Sequence, residues 1–189
     1  MKVVAFNGSP NREGNTSLLI QAVFKELEQE GIQTELIQIP QSLKYCTGCF
    51  QCYEKKDGCA QKSDKLNEYV AKMTEADGIL LGSPVYIGDV SGQMKAFLDR
   101  ATLVAGANGA PLQYKVGAAV CAVRRCGSMH AFHTMNNFFT CTHMVVVGSS
   151  YWNMAFGNDT GEVLGDPEGM ETMHNLGRNM AYVMKKMAK

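Results

Sequence analysis

The chain has 189 residues, 46% of them hydrophobic and 19% charged, with 18 basic residues set against 18 acidic ones. That composition predicts one globular domain over residues 1–189 and excludes a disordered chain. It gives no basic field for nucleic acid or an anionic membrane, and no apolar run approaches a membrane span. No signal peptide is expected before the first strand, so seven cysteines point to a reducing cytoplasm.

Residues 3–6 form a short buried run, and a helical pattern follows over 16–31 with Leu18, Leu19, Val23, Phe24 and Leu27 on one side. Residues 34–39 read as a second strand. Residues 40–61 show little regular pattern and contain four cysteines. Leu66, Tyr69, Val70 and Met73 recur at i, i+3, i+4 and i+7, which predicts a helix from Lys62 onward. Residues 78–83 are apolar throughout and predict a strand buried on both faces. A helix over 91–101 is expected next, then a strand over 116–123, a helix over 127–141 and a fifth strand over 144–147. A last helix over 168–187 places Met173, Leu176, Met180, Val183, Met184 and Met187 inward. Cys121 and Cys141 are expected to be buried packing residues. His130 and His133 share a helix face with no third ligand beside them, so they predict a surface pair.

Strands alternating with helices imply a parallel sheet, because parallel neighbours need crossovers. Right-handed crossovers leave the order 2-1-3-4-5 as the main topology at this size. Two stretches, 40–61 and 148–167, exceed ordinary connections, and long ordered loops of that kind usually carry function.

The first strand runs into Asn7-Gly8-Ser9-Pro10-Asn11-Arg12-Glu13-Gly14-Asn15-Thr16-Ser17. Glycines permit the tight turn, hydroxyls and amides donate hydrogen bonds, and the following helix offers unpaired N–H groups; together these suit a phosphate monoester. The Walker pattern fails, since Asn15 stands where its lysine belongs, and the dinucleotide fingerprint fails as well. A polar turn with Asn15 or Thr16 as helix cap is the plainer alternative. The cysteines Cys46, Cys49, Cys52 and Cys59 are spaced C-x2-C-x2-C-x6-C. Short spacers bring thiolates to one centre at little loop-closure cost. Zinc sites more often present two separated pairs, yet a zinc site and uncoordinated thiols both remain open readings.

G-S-P-x4-G-N-T-S after a first strand resembles the NADPH-dependent FMN reductase family of flavodoxin-like proteins. Gly82-Ser-Pro-Val-Tyr-Ile-Gly-Asp-Val-Ser-Gly-Gln-Met-Lys-Ala-Phe-Leu-Asp-Arg100 is similar to that family's second signature. The resemblance covers nearly the whole chain. It implies a flavodoxin-like three-layer α/β sandwich with a five-stranded parallel sheet, and FMN in the crevice at the switch point. On this resemblance Ser9, Arg12, Asn15, Thr16 and Ser17 grip the phosphate, while Pro84, Val85, Tyr86, Ile87 and Gly88 line the isoalloxazine. Arg124 and Gly127 belong to a third flavin-facing loop, in which an arginine could stabilise the reduced flavin or a nicotinamide phosphate. Cys126 departs from the small residues that relatives carry there, and reads as a tolerated small side chain. The loop 149–157 is aromatic, and its Trp152 could cover the flavin edge or meet another subunit.

Within the family, a cysteine-rich loop after the second strand resembles the iron–sulfur flavoproteins, which hold a 4Fe–4S cluster beside FMN in a multimer. The resemblance assigns Cys46, Cys49, Cys52 and Cys59 as its ligands. The expected activity is therefore an FMN-dependent oxidoreductase that takes hydride from NAD(P)H and reduces a flavin, quinone, aromatic or electron-carrier acceptor. No obligatory acid or base is visible. The alternative is an electron carrier exchanging electrons with ferredoxin, and a redox-sensing role is a weaker third. Zero net charge argues against a plain flavodoxin, which meets its partners through an acidic surface. A homodimer or homotetramer is implied by the family.

Overall fold

Each apolar run of the sequence becomes a strand whose neighbours lie far away along the chain. A computed structural model of the protein describes residues 1–188. The strands are β1 (Lys2–Asn7), β2 (Gln33–Gln38), β3 (Gly78–Tyr86), β4 (Asp89–Val90), β5 (Val116–Val123), β6 (Val145–Val146) and β7 (Met154–Phe156). The helices are α1 (Asn15–Gln29), α2 (Gln51–Lys55), α3 (Leu66–Glu75), α4 (Gly92–Ala107), α5 (Ser128–Cys141) and α6 (Pro167–Met187), with a 3-10 turn at Glu162–Gly165. The main path of the sheet is β2-β1-β3-β5-β6, all parallel. With β5 and β6 as the fourth and fifth strands, this is the expected order 2-1-3-4-5.

Every residue of β5 is buried, as a strand covered on both faces must be. One apolar cluster joins Phe6, Ile79, Leu81, Phe97 and Met135 to α3, α4 and α5. The other joins Val3, Ala5, Leu80, Val120 and Met180 to α1 and α6. Alternation along β1 and β3 sends successive side chains to opposite clusters. Helices α1 and α6 meet closely at Gly177, where a Cβ would stand 2.6 Å from the Val23 carbonyl oxygen. Among the described residues no helix is long and apolar enough to cross a membrane.

The fifth strand departs from expectation. It is divided: β6 pairs with the start of β5 at Val116 and Gly117, and β7 pairs with its end at Cys121, Ala122 and Val123. Two inward assignments also change. Met187 and Cys141 are exposed, Met187 because the last turn of α6 extends past the edge of its apolar cluster. Cys141 is exposed because it is the last residue of α5, beside the exposed Thr140 and His143. Cys121 is fully buried, and burial pushes its thiol up to about 12. His130 and His133 are exposed, as expected of a surface pair.

Candidate functional site

The loop after β1 is shaped by its own polar groups. The Ser9 N–H donates to Asn7 Oδ1 at 2.9 Å, and the Ser9 hydroxyl accepts the Asn11 N–H at 3.1 Å. Gln38 Nε2 reaches across from β2 to the Ser9 carbonyl at 2.5 Å. Gly14 precedes α1 with no side-chain cap, so the first N–H groups of the helix lack a side-chain partner and suit an anion. Ser9, Asn15, Thr16 and Ser17 are buried around this turn, while Arg12 is exposed at its rim. The structure thus gathers all five expected phosphate residues in one turn. The Asn15 side chain has a further task there. It donates to the Asp159 carbonyl at 2.9 Å and accepts the Gly161 N–H at 2.8 Å, fastening the loop before α6 to the start of α1.

The loop after β3 is a hairpin. β3 continues to Tyr86 and turns back as β4, with Val85 opposite Val90 and Tyr86 opposite Asp89. Both turn residues have positive φ, 47° at Ile87 and 77° at Gly88, as a two-residue hairpin turn requires. A β-branched residue is disfavoured in that region. Ile87 sits at the tip with a fully exposed side chain. Asp89 Oδ1 accepts from the Val90 N–H and from the Thr134 hydroxyl of α5, each at 2.7 Å. Tyr86 is exposed, and Pro84 and Val85 are half-buried.

Ser91 joins the two loops. Its hydroxyl donates to the Gly8 carbonyl at 2.5 Å and accepts the Met94 N–H at 3.2 Å as the cap of α4. Its own N–H donates to Ser83 Oγ at 3.0 Å. Ser91→Ala is expected to cost about 1–2 kcal/mol, the loss of a helix cap plus an orphaned buried carbonyl. Chemical denaturation measures this directly, and an unchanged midpoint would contradict the assignment.

Arg124, Arg125 and Cys126 are exposed after β5, and Gly127 adopts φ 87° ahead of α5. A Cβ at Gly127 would stand 2.8 Å from Gly88 Cα, so the second and third loops touch here. Two clefts share Phe156 and Asp166 in their walls. One of about 700 Å³ is lined by Arg124, Phe156, Gly157, Asn158, Glu162 and Asp166, among others. The other, of about 400 Å³, lies between Met129, Tyr151, Trp152, Met154 and Phe156. Both volumes are in the range of small-molecule sites. Trp152 and Tyr151 pack edge to face with centroids 4.6 Å apart.

The cysteine loop lies after β2. A short helix absent from the sequence reading, α2, begins inside it, with Phe50 in the left-handed region just before. The Gln51 N–H, then the Thr47 hydroxyl, pull the Cys49 thiol below its ordinary value. The Cys46 sulfur accepts the Gly48 N–H at 3.4 Å. Cys52 and Cys59 are buried; burial pushes the Cys52 thiol up, with the Cys59 and Cys49 sulfurs acting in the same direction. The Cys59 sulfur accepts from Arg100 Nη2 at 3.3 Å. All four sulfurs therefore already receive N–H or O–H donors, Cys52 from the Tyr53 N–H, the surroundings that thiolate ligands of a metal centre use. Among the described residues no three Cys, His, Asp or Glu side chains close on a single point as one ion would require. A several-iron cluster binds each thiolate to its own iron and sets the sulfurs wider apart than a tetrahedral zinc does.

Sequence reasoning missed Asn7, Gln38, Ser91, Asp64 and Arg100, all polar groups that hold the loops. Asn7 did stand in the first motif, and Ser91 and Arg100 in the second signature, but their contacts followed from the fold alone.

Residues 1–159 match the NADPH-dependent FMN reductase family. An iron-sulfur flavoprotein of Methanocaldococcus jannaschii is 40% identical over 197 residues, spanning 100% of each chain. A solved flavodoxin from the domain Archaea superposes with a TM-score of 0.63 at 18% identity, covering 98% of this chain and 99% of its own. The NAD(P)H:quinone oxidoreductase from Methanothermobacter marburgensis superposes with a TM-score of 0.72 at 13% identity, covering 95% and 96%. The fold is flavodoxin-like.

Proposed function

This chain belongs to the NADPH-dependent FMN reductase family, and we propose that it is an FMN-dependent oxidoreductase that also carries an iron–sulfur cluster on Cys46, Cys49, Cys52 and Cys59. The observation that carries this reading is the interlocking of three loops at the ends of β1, β3 and β5, joined by Ser91 and by the Gly88–Gly127 contact. Open parallel sheets hold ligands at that edge.

FMN, when bound, supplies acceptance of a hydride as two electrons, and a cluster passes electrons singly. The chain itself does the binding. The uncapped start of α1, with Ser9, Thr16 and Ser17, suits the phosphate, and Arg12 adds charge at the rim. The Val85–Val90 hairpin and Gly127 offer walls for a flat ring, with the exposed Tyr86 and Ile87 at the tip. The cleft lined by Met129, Tyr151, Trp152, Met154 and Phe156, with Asp166 and Glu168 also on its wall, has the volume and aromatic lining to suit a planar aromatic co-substrate such as a quinone. The four thiols and their donors supply the cluster ligands.

The test is anaerobic rapid mixing of purified protein with NADH and with NADPH, followed at the visible flavin band. Bleaching by at least one pyridine nucleotide, followed by reoxidation with a quinone, is the expected result. If both nucleotides leave the band unchanged while reduced ferredoxin bleaches it, the protein is an electron carrier and the reductase reading fails.

A further inference from the structure

Arg100 is the only charged residue among those described that is buried as a whole residue, and the side chain of its partner Asp64 is only 6% exposed. It projects from α4, the helix whose cap holds the phosphate loop, into the two ends of the cysteine loop. Its Nη1 donates to the Lys44 carbonyl at 3.0 Å and to Asp64 Oδ2 at 2.5 Å. Its Nη2 donates to the Gln61 carbonyl at 3.2 Å and to Cys59 Sγ at 3.3 Å. Asp64 accepts in turn from the N–H groups of Lys44 at 3.1 Å and Leu66 at 3.3 Å. One guanidinium thus ties the chain just before Cys46 to the chain just after Cys59, and still directs an N–H at a sulfur.

We propose that Arg100 is a positioning residue that raises the reduction potential of the cysteine-bound iron–sulfur centre through its hydrogen bond to Cys59 Sγ. The inference rests on the cluster reading given above. Reduction of such a centre adds one electron and one unit of negative charge, with no bond made or broken. A donor fixed on a ligand sulfur before the electron arrives favours the reduced form. Asp64, beside the guanidinium, offsets its net charge at longer range, so the directed hydrogen bond is what remains at the sulfur. Arg suits this role better than Lys, since its rigid fork can reach the carboxylate and the sulfur together.

The experiment compares anaerobically purified wild type, Arg100→Lys and the double variant Arg100→Gln/Asp64→Asn by dithionite titration. Cluster reduction is followed by electron paramagnetic resonance and FMN by absorbance, with iron and sulfide measured on each sample. The double variant removes both buried charges together, which a fold tolerates better than removal of one. Its expected result is retained iron with an about tenfold lower ratio of reduced to oxidised cluster at fixed potential, ~59 mV for a one-electron couple. The FMN potential should stay at the wild-type value, and Arg100→Lys should fall between. A loaded double variant with the wild-type cluster potential overturns the inference. If the double variant loads no iron, Arg100→Lys decides in the same way. If neither variant loads iron yet both remain folded by circular dichroism, Arg100 is a loop clasp alone and the inference is overturned. Wild type free of iron and sulfide would instead overturn the cluster itself, and the inference with it.

Discussion

Replacing Asp64 with Asn is expected to lower the free energy of unfolding by about 3–5 kcal/mol, the cost of breaking a buried ion pair from one side. Arg100 cannot shed its proton, so its charge is left in the interior without a counter-ion. The amide keeps the shape of the carboxylate but turns one acceptor into a donor, which then faces either the guanidinium and the Lys44 N–H, both of which donate to Oδ2, or the Leu66 N–H, which donates to Oδ1. Domains of ordinary stability have only about 5–15 kcal/mol to lose. Urea unfolding at neutral pH measures the change, and a loss below about 1 kcal/mol would show that the pair is not the clasp described. The acid limb gives a second readout. Burial pushes the Asp64 carboxyl up, but the Arg100 guanidinium and the N–H groups of Lys44 and Leu66 outweigh it and hold it below its ordinary value of 3.8. A depressed carboxyl contributes stability that is complete above its unfolded value and is lost as the pH falls through the folded one. The wild-type protein should therefore lose this contribution only below about pH 3.8. Asp64→Asn should lack that part of the acid slope.

Gly127→Val is expected to weaken FMN binding by about 100-fold. Gly127 has φ 87°, where a β-branched residue is strained. A Cβ there would stand 2.8 Å from Gly88 Cα and 3.3 Å from Val85 Cγ1. The first contact is with backbone, so no side chain can swing aside, and the hairpin must move from the third loop. Left-handed strain of ~1–2 kcal/mol and overpacking of ~1–3 kcal/mol together reach about 3 kcal/mol. At 1.4 kcal/mol per factor of ten that is roughly a hundredfold in dissociation constant. Gly148→Ala is the control, because nothing lies within 4 Å of its Cβ position and its φ is ordinary. Flavin fluorescence titration of the two apoproteins reads the difference. Equal affinities would mean that the Gly88–Gly127 contact does not shape the ring site.

Strands β1, β2, β3 and β5 were legible because each carries its own signal, whereas β4 and β7 are too short to carry one. The run Gly-Ile-Leu-Leu-Gly-Ser at 78–83 is buried wherever it goes, and Val116–Val123 was placed to the residue. The turn proposed for the phosphate was legible as a turn for a related reason, since Ser9, Thr16 and Ser17 lie close in sequence to the start of α1. What stayed hidden depends on partners far along the chain. Asn15 was read as a phosphate residue, yet its side chain grips Asp159 and Gly161, which only the arrival of α6 brings near. Helix α2 is too short for a periodic signal, and Phe50 starts it from a conformation that no propensity favours. Met187 matched the apolar period of α6 but lies beyond the core that the period was meant to cover. Arg100 looked like the polar end of a helix, and only the cysteine loop folding over it made it interior.

The division of the last strand has a further consequence. β6 is held at the start of β5 and β7 at its end, each by its own hydrogen bonds, including Val147 N–H to the Gly117 carbonyl and Cys121 N–H to the Asn153 carbonyl. Residues 148–152 between them, with Tyr151 and Trp152 exposed, do not set the pairing of either piece. They are tied to α6 instead: the Asn179 side chain donates to the Gly148 carbonyl at 3.0 Å, the Ser149 hydroxyl to the Thr172 carbonyl at 2.6 Å, and the Asn175 side chain to the Ser150 hydroxyl at 3.2 Å. The scaffold thus hands the pairing of the sheet to the residues on either side and the placing of Tyr151 and Trp152 to the last helix, so that the aromatic segment answers to α6 and not to the strands that flank it.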